Sequence, residues 1–296
     1  MSTDLMLKPA SELAVLIRSR EISARELLDE AIARFELFNP AVNAITESRV
    51  ELAQERAVDA DQATSRGESW GPFHGLPVTI KEAYDWVGTA STWGNPQWVN
   101  NFPDANSPAV ERLLGAGAVI WAKTNVPFML ADWQSFNEVY GCTNNPWDLD
   151  RTPGGSSGGS AVSLATGMAA LEIGSDIGAS IRNPAHYCGV FGHKPTMDLI
   201  PQLGHAAPGV ETTVDIAVMG PLARSAEDLD TALSVLAGPV GLEAAGYKVD
   251  LPSPDKESLD DYRVGVLLDT PACKTAASLI DHLHGTVEQL ARAGVQ

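Results

Sequence analysis

Residues 154–196 read GGSSGGSAVSLATGMAALEIGSDIGASIRNPAHYCGVFGHKPT, a run dense in Gly, Ser and Ala where a globular chain ordinarily carries helix and strand composition. Two serine-bearing segments, 154–160 and 175–180, bracket a helix pattern over 161–167 and a strand pattern over 168–173. A helix followed by a strand returns the chain to the same side of a sheet, so both serine loops are expected to meet at one reacting centre.

The flanking chain supplies the alternation such a sheet needs. Residues 10–65 are helical by pattern, with Leu13, Leu16 and Ile17 on one face and a capping box formed by Ser23 and Glu26. Pro40, after Asn39, is predicted to end the second helix; 43–45 reads as a short extended piece and 49–64 as a charged helix stopped at Gly67. After a turn at 71–75, Val78, Thr79 and Ile80 have strand composition and lead into Lys81. The Gly-, Asn- and Pro-rich loop 88–104 contains or adjoins Trp86, Trp93 and Trp98, and reads equally as a packed surface loop or a pocket wall. Helix 109–115, strand 118–122 and a mixed helix or loop over 126–137 follow. Beyond the central stretch come a helix over 181–187 interrupted by Pro184, a loop over 199–213, a strand and turn over 215–221, and a helix capped by Ser225. A buried strand over 263–268 and a helix over 275–293 complete the pattern. We expect a single α/β domain over 1–296, with a helical layer over about 1–70 and a catalytic core over about 71–240. Its central mixed, mostly parallel sheet is expected to carry helices on both faces. The chain stops just after Gly294, where the alternation calls for another strand, so the domain is expected to be incomplete at its C-terminus.

The balance of 38 acidic against 20 basic residues, a net charge of -18, opposes binding to phosphate backbones and anionic surfaces, so no nucleic-acid partner is expected. No apolar run reaches the roughly 18–20 residues of a membrane span, and residues 1–4 lack a signal-peptide profile; the expectation is a cytoplasmic protein without a membrane partner. Cys142, Cys188 and Cys273 are too scattered for a disulfide framework, and the six histidines lack ligand spacing. Free thiols, no metal and no cofactor are expected.

The glycines match neither phosphate-binding pattern, and the Gly-x-Ser-x-Gly elbow of histidine-assisted hydrolases is missing around Ser180, which sits in Gly178-Ala179-Ser180-Ile181-Arg182. Ser180 instead closes a turn of small residues and opens a helix, so the amides of Ile177, Gly178, Ala179 and Ser180 are candidates to face one developing oxyanion. Lys81, at the end of an apolar strand, either loses hydration and becomes neutral enough to act as a base or extends to the surface.

The stretch 154–196 resembles the signature of the amidase signature family, the Ser-Ser-Lys amide hydrolases. Similar in order and spacing are Gly75-Leu76-Pro77-Val78-Thr79-Ile80-Lys81, Ala116-Gly117-Ala118-Val119, Lys123-Thr124-Asn125, Asn145-Pro146-Trp147-Asp148, Arg151-Thr152-Pro153 and Gly220-Pro221-Leu222-Ala223-Arg224-Ser225. The resemblance covers about residues 10–240. It implies the amidase signature fold, with Lys81 as base, Ser156 as the bridging serine in a non-proline cis peptide and Ser180 as nucleophile. Ser156 follows Lys81 by 75 positions and Ser180 follows Ser156 by 24, as the family leads us to expect. It further implies that Ser157, Ser175, Asp176 and Arg182 hold the loops, local turn bonding being the plainer role for the two serines. Cys188 reads as a buried small residue. Ala179 departs from the family by replacing a second glycine, and His193 and the 201–213 loop differ from the tRNA-dependent amidotransferase branch. The implied reaction is hydrolysis of a small or medium carboxamide through an acyl-enzyme, in a homodimer if the assembly follows the family. The alternatives are a glutaminase-type subunit of an amidotransferase complex and, from another class, an inactive fragment or binding protein.

Overall fold

The first two helices start on carboxylates, one local and two distant. Ser23 Oγ accepts the Glu26 amide at 3.0 Å and Glu26 Oε2 accepts the Ser23 amide at 2.9 Å, the expected capping box. The next two amides, of Ala24 and Arg25, are taken by Asp61 at 2.6 and 3.1 Å, and those of Ala10 and Ser11 by buried Asp228, both at 2.8 Å. An anion at a helix N-terminus meets both unpaired N–H groups and the positive end of the helix dipole. These bonds therefore join helices that are far apart in sequence.

The computed structural model describes residues 5–210, 212–253, 256 and 258–296, in two compact units, Met1–Val249 and Asp250–Gln296. In the first, the elements in order are α1 (Ala10–Arg18), α2 (Ala24–Val42), β1 (Ile45–Ser48), α3 (Val50–Ser65), β2 (Pro77–Lys81), α4 (Pro108–Gly115) and β3 (Val119–Thr124). Then come β4 (Phe136–Asn137), β5 (Gly141–Cys142), α5 (Gly158–Ala165), β6 (Leu171–Asp176), α6 (Arg182–Cys188), β7 (Phe191–Gly192), β8 (Val218–Ala223), α7 (Ala226–Leu236) and α8 (Glu243–Gly246). The main sheet is mixed, in the order β1-β3-β2-β6-β8-β7. Its centre, β3-β2-β6, is parallel, while β1 and β8 join antiparallel on either side.

Every residue of β2 is buried. Thr79 meets Ser163 of α5 at 2.9 Å, so the face carrying Thr79 and, two residues on, Lys81 is the face that α5 covers. Glycine makes that cover close. A Cβ at Gly159 would press on the backbone amide of Asn125 and fall 2.6 Å from the Ala44 carbonyl oxygen.

Several expected boundaries move. The second helix runs through Pro40 to Val42, although proline cannot donate to the Glu36 carbonyl one turn back; Asn43, left-handed at φ 47°, ends it. The Asn39 side chain takes the amides of Ala44 and Ile45 at 2.8 and 2.9 Å, which delays the strand to Ile45. Pro184 stands third in α6, where no intrahelical donor is needed, so it does not interrupt that helix. The strand expected over 168–173 is displaced to Leu171–Asp176, which makes Ser175 and Asp176 strand residues, not loop residues. The strand near 215–221 is likewise displaced to Val218–Ala223.

The second unit contains α9 (Ala277–Arg292) and a 3-10 turn at Leu259–Asp261. The buried strand expected over 263–268 does not form. Val264, Val266 and Leu267 are exposed, so the apolar composition there has no sheet to join.

Candidate active site

Lys81 is fully buried, and its amine is surrounded by hydroxyls. Nζ lies 2.6 Å from Ser156 Oγ, 2.9 Å from Ser175 Oγ and 3.0 Å from Ser157 Oγ. Three elements bring these groups together: the end of β2 carries Lys81, the loop and N-terminus of α5 carry Ser156 and Ser157, and the end of β6 carries Ser175. The side chain does not extend to the surface, because it issues from a strand with neighbours on both sides. The Gly155–Ser156 peptide is cis, as expected.

Burial pushes the Lys81 amine down to about 7, against the pull of the carboxylates of Asp176 and Glu172. Glu172, also buried, is pushed up by burial to about 8, although the hydroxyls of Thr79, Ser160 and Thr124 oppose this. A carboxyl that is largely protonated near neutrality withdraws one of the two negative charges favouring the ammonium, so the two shifts reinforce each other. The amine is thus held close to its neutral form near neutral pH.

Asp176 behaves in the opposite way. Its burial raises the pKa, but bonds from the Arg182 side chain and from the amides of Ile181, Ala179 and Arg182 outweigh that and hold it below its ordinary range. The Arg182 guanidinium grips it with two bonds, of 2.9 and 3.0 Å. The expectation that Asp176 and Arg182 organise the turn thus has a physical basis in these bonds. They also bring a correction. The Ala179 amide, expected among the oxyanion donors, is given to Asp176 Oδ1 at 2.8 Å, so Ile177, Gly178 and Ser180 are left as the candidates. Ala179 holds φ 83°, a left-handed conformation natural to the glycine it replaces.

Ser180 lines the same cavity as Ser156 and Ser175. Its carbonyl accepts the Ser157 amide at 3.0 Å, tying the second serine loop to the first. Ser156, Ser175, Ile177, Gly178 and Ser180 all line one cavity of about 580 Å³. The rest of its wall is mainly apolar, including Met129, Leu130, Trp133, Ala217 and Met219. Trp133 Nε1 donates to the Gly178 carbonyl at 2.7 Å, steadying the turn that leads to Ser180. Of the loop 88–104, Trp93 reaches this cavity, so part of that loop is pocket wall. Cys188 is buried, its thiol pushed up to about 12 by burial and directed at the Pro153 carbonyl, 3.4 Å away.

Glu172 and His205 do not stand out as site residues in the sequence. A lone carboxylate inside the apolar run Ala169-Ala170-Leu171-Glu172-Ile173 is the available signal for the first. Nothing local distinguishes His205 in a Gly/Pro loop. Among the described residues, no group of three or more His, Cys, Asp or Glu is arranged to hold a metal ion, and no helix is long and apolar enough to cross a membrane.

Residues 26–296 match the family profile described as Amidase. The chain is 36% identical over 278 residues to the A-type subunit of the glutamyl-tRNA(Gln) amidotransferase of Synechococcus sp. (strain CC9902), covering 93% of this chain and 55% of that protein. It is 36% identical over 242 residues to human fatty-acid amide hydrolase 2, covering 79% and 46%. Among solved structures, a fatty acid amide hydrolase superposes with a TM-score of 0.89 at 28% identity, covering 99% of this chain and 52% of that one. A 6-aminohexanoate cyclic dimer hydrolase complexed with substrate superposes at 0.82 and 29% identity, covering 98% and 60%. The chain spans about half the length of the curated relatives it matches. With this profile match over most of its length and the α/β architecture of those structures, the chain belongs to the amidase signature family.

Proposed function

We propose that this chain carries the catalytic core of a serine amide hydrolase in which Lys81, Ser156 and Ser180 form the proton-transfer and nucleophilic set. The observation that carries this reading is the 2.6 Å approach of buried Lys81 Nζ to Ser156 Oγ, beside a cavity that Ser180 also lines. Neutral Lys81 takes the Ser156 proton as Ser156 takes that of Ser180, and Ser180 Oγ bonds to the amide carbonyl carbon. The amides of Ile177, Gly178 and Ser180 hold the resulting oxyanion. The proton returns through Ser156 to the leaving nitrogen, the C–N bond breaks, and water then hydrolyses the Ser180 ester by the same path in reverse. Every proton moves between side chains and substrate, so the steps require no cofactor. The substrate is a carboxamide whose body suits a mainly apolar cavity.

A second reading, a glutaminase-type component working with partner proteins, is favoured by the identity to the amidotransferase of Synechococcus. The cavity wall gives it less support, since none of its lining residues is a lysine or arginine that would meet the α-carboxylate of glutamine. Ammonia release from a panel of amides, esters and glutamine, measured on the full-length enzyme and its Ser180→Ala variant, decides between them. Turnover that survives Ser180→Ala would overturn the mechanism.

A further inference from the structure

Among the described residues, two buried side-chain polar atoms have no hydrogen-bonding partner in the protein: Trp93 Nε1 and His205 Nε2. Both residues line the cavity that holds Ser156 and Ser180. Buried polar atoms are almost always paired, so two unpaired ones on residues that line a single cavity point to a ligand that pairs them. The neighbouring Gln202 side chain, by contrast, is fully engaged. It donates to the Ala217 and Val214 carbonyls at 3.0 and 3.2 Å and accepts the Val214 amide at 2.9 Å.

The Trp93 backbone is anchored on both sides, and the His205 ring is packed against aromatic neighbours. Trp93, left-handed at φ 54°, gives its amide to Glu82 at 2.9 Å and accepts the Met129 amide at 2.7 Å. The His205 ring packs edge-on against Tyr84, with centroids 4.6 Å apart, and lies 5.4 Å from the Trp93 ring. The two nitrogens offer complementary chemistry. An indole N–H can only donate. The His205 imidazole is neutral, burial and then nearby Lys81 pushing it down to about 3. We assign its proton to Nδ1, which leaves a lone pair at Nε2 to complement the indole donor.

We propose that Trp93 and His205 form a polar subsite selecting carboxamides that carry a second hydrogen-bonding group, a hydroxyl or secondary amide, which accepts from Trp93 Nε1 and donates to His205 Nε2. The proposal rests on the amide-hydrolase reading only for the identity of the reacting group.

Binding to the full-length Ser180→Ala enzyme is to be measured by calorimetry for linear carboxamides in which one methylene, three to six bonds from the reacting carbonyl, is replaced by a secondary amide or bears a hydroxyl. Each is compared with its parent alkyl amide. At least one polar member is expected to bind about ten-fold more tightly than its parent, the effect of one good hydrogen bond to a buried group. Trp93→Phe and His205→Phe are each expected to cut that ratio by about five-fold or more, and His205→Gln, which keeps an acceptor, to restore part of it. The same ratio is expected in kcat/KM for the Ser180-containing enzyme. No polar preference in the parent enzyme, or a preference unaltered by both Trp93→Phe and His205→Phe, overturns the subsite. Amide turnover without polar preference would sink the subsite and leave the hydrolase reading standing. Polar preference in binding without any turnover would do the reverse.

Discussion

The carboxylate of Asp176 accepts the backbone amide of Ala179 at 2.8 Å, and so holds a non-glycine residue at φ 83° in the turn that leads to Ser180. One buried side chain thereby shapes the turn from which the candidate nucleophile projects. Asp176→Asn keeps the size but loses the charge and one acceptor oxygen. It is expected to lower stability by about 2–4 kcal/mol, since charge-assisted bonds at a buried group are lost together. Chemical denaturation checks the stability, and the rate of fluorophosphonate labelling at Ser180 is expected to fall with it.

The left-handed conformation of Ala179 predicts the sign of a second change. Ala179→Gly relieves the Cβ clash of that conformation, which outweighs the greater chain entropy of glycine, and is expected to stabilise by up to about 1 kcal/mol. A fall in Tm would show instead that the methyl group contributes packing.

Activity is expected to rise with pH through about 7, as Lys81 loses its proton and becomes a base. Lys81→Met is expected to reduce kcat/KM by about 10²–10⁴-fold, the range of a general base. The stability linkage has a defined sign. Because the folded-state pKa lies below that of an ordinary lysine, the unfolded chain binds more protons between about 7 and about 10, so this residue makes stability rise with pH across that window. Denaturation at a series of pH values is expected to show a slope in the parent enzyme that is smaller in Lys81→Met.

Glu172 gives the opposite linkage. Its pKa is raised to about 8, so the folded chain binds more protons than the unfolded one from the ordinary glutamate range up to about 8, and stability from this residue falls as pH rises through that window. Glu172→Gln is expected to remove that fall. Because the Glu172 carboxyl is already largely protonated near neutrality, Glu172→Gln removes little charge beside Lys81, and the acid limb of the activity profile is expected to stay near pH 7. A clear move of that limb to lower pH would show that Glu172 is ionised in the folded enzyme.

Gly159 predicts a packing failure. Gly159→Ala places a methyl group against the Asn125 and Ala44 backbones, and is expected to destabilise by about 1–3 kcal/mol or more, because neither backbone can withdraw. Gly178→Ala is the control: its Cβ would meet nothing within 4 Å, so its Tm is expected to change little.

Local signals and the order of the motifs can be read from the amino-acid chain alone. The Ser23–Glu26 capping box, the β2 strand ending at Lys81 and the spacing of Lys81, Ser156 and Ser180 depend on residues near one another or on family pattern, and all were legible. Tertiary structure decided the rest. Pro40 stays within a helix although its own segment reads as a break, the helix ending instead at left-handed Asn43, and residues 263–268 form no strand because strand composition without a neighbouring ladder has nothing to bond. Whether Lys81 was buried or exposed was undecidable from its own segment. Its ionisation follows from three serines and two carboxyls supplied by β6, α5 and the loop before it, and desolvation is a property of that assembled surrounding. His205 and Trp93 were invisible as a pair for the same reason, since an unpaired polar atom exists only once everything around it has been packed.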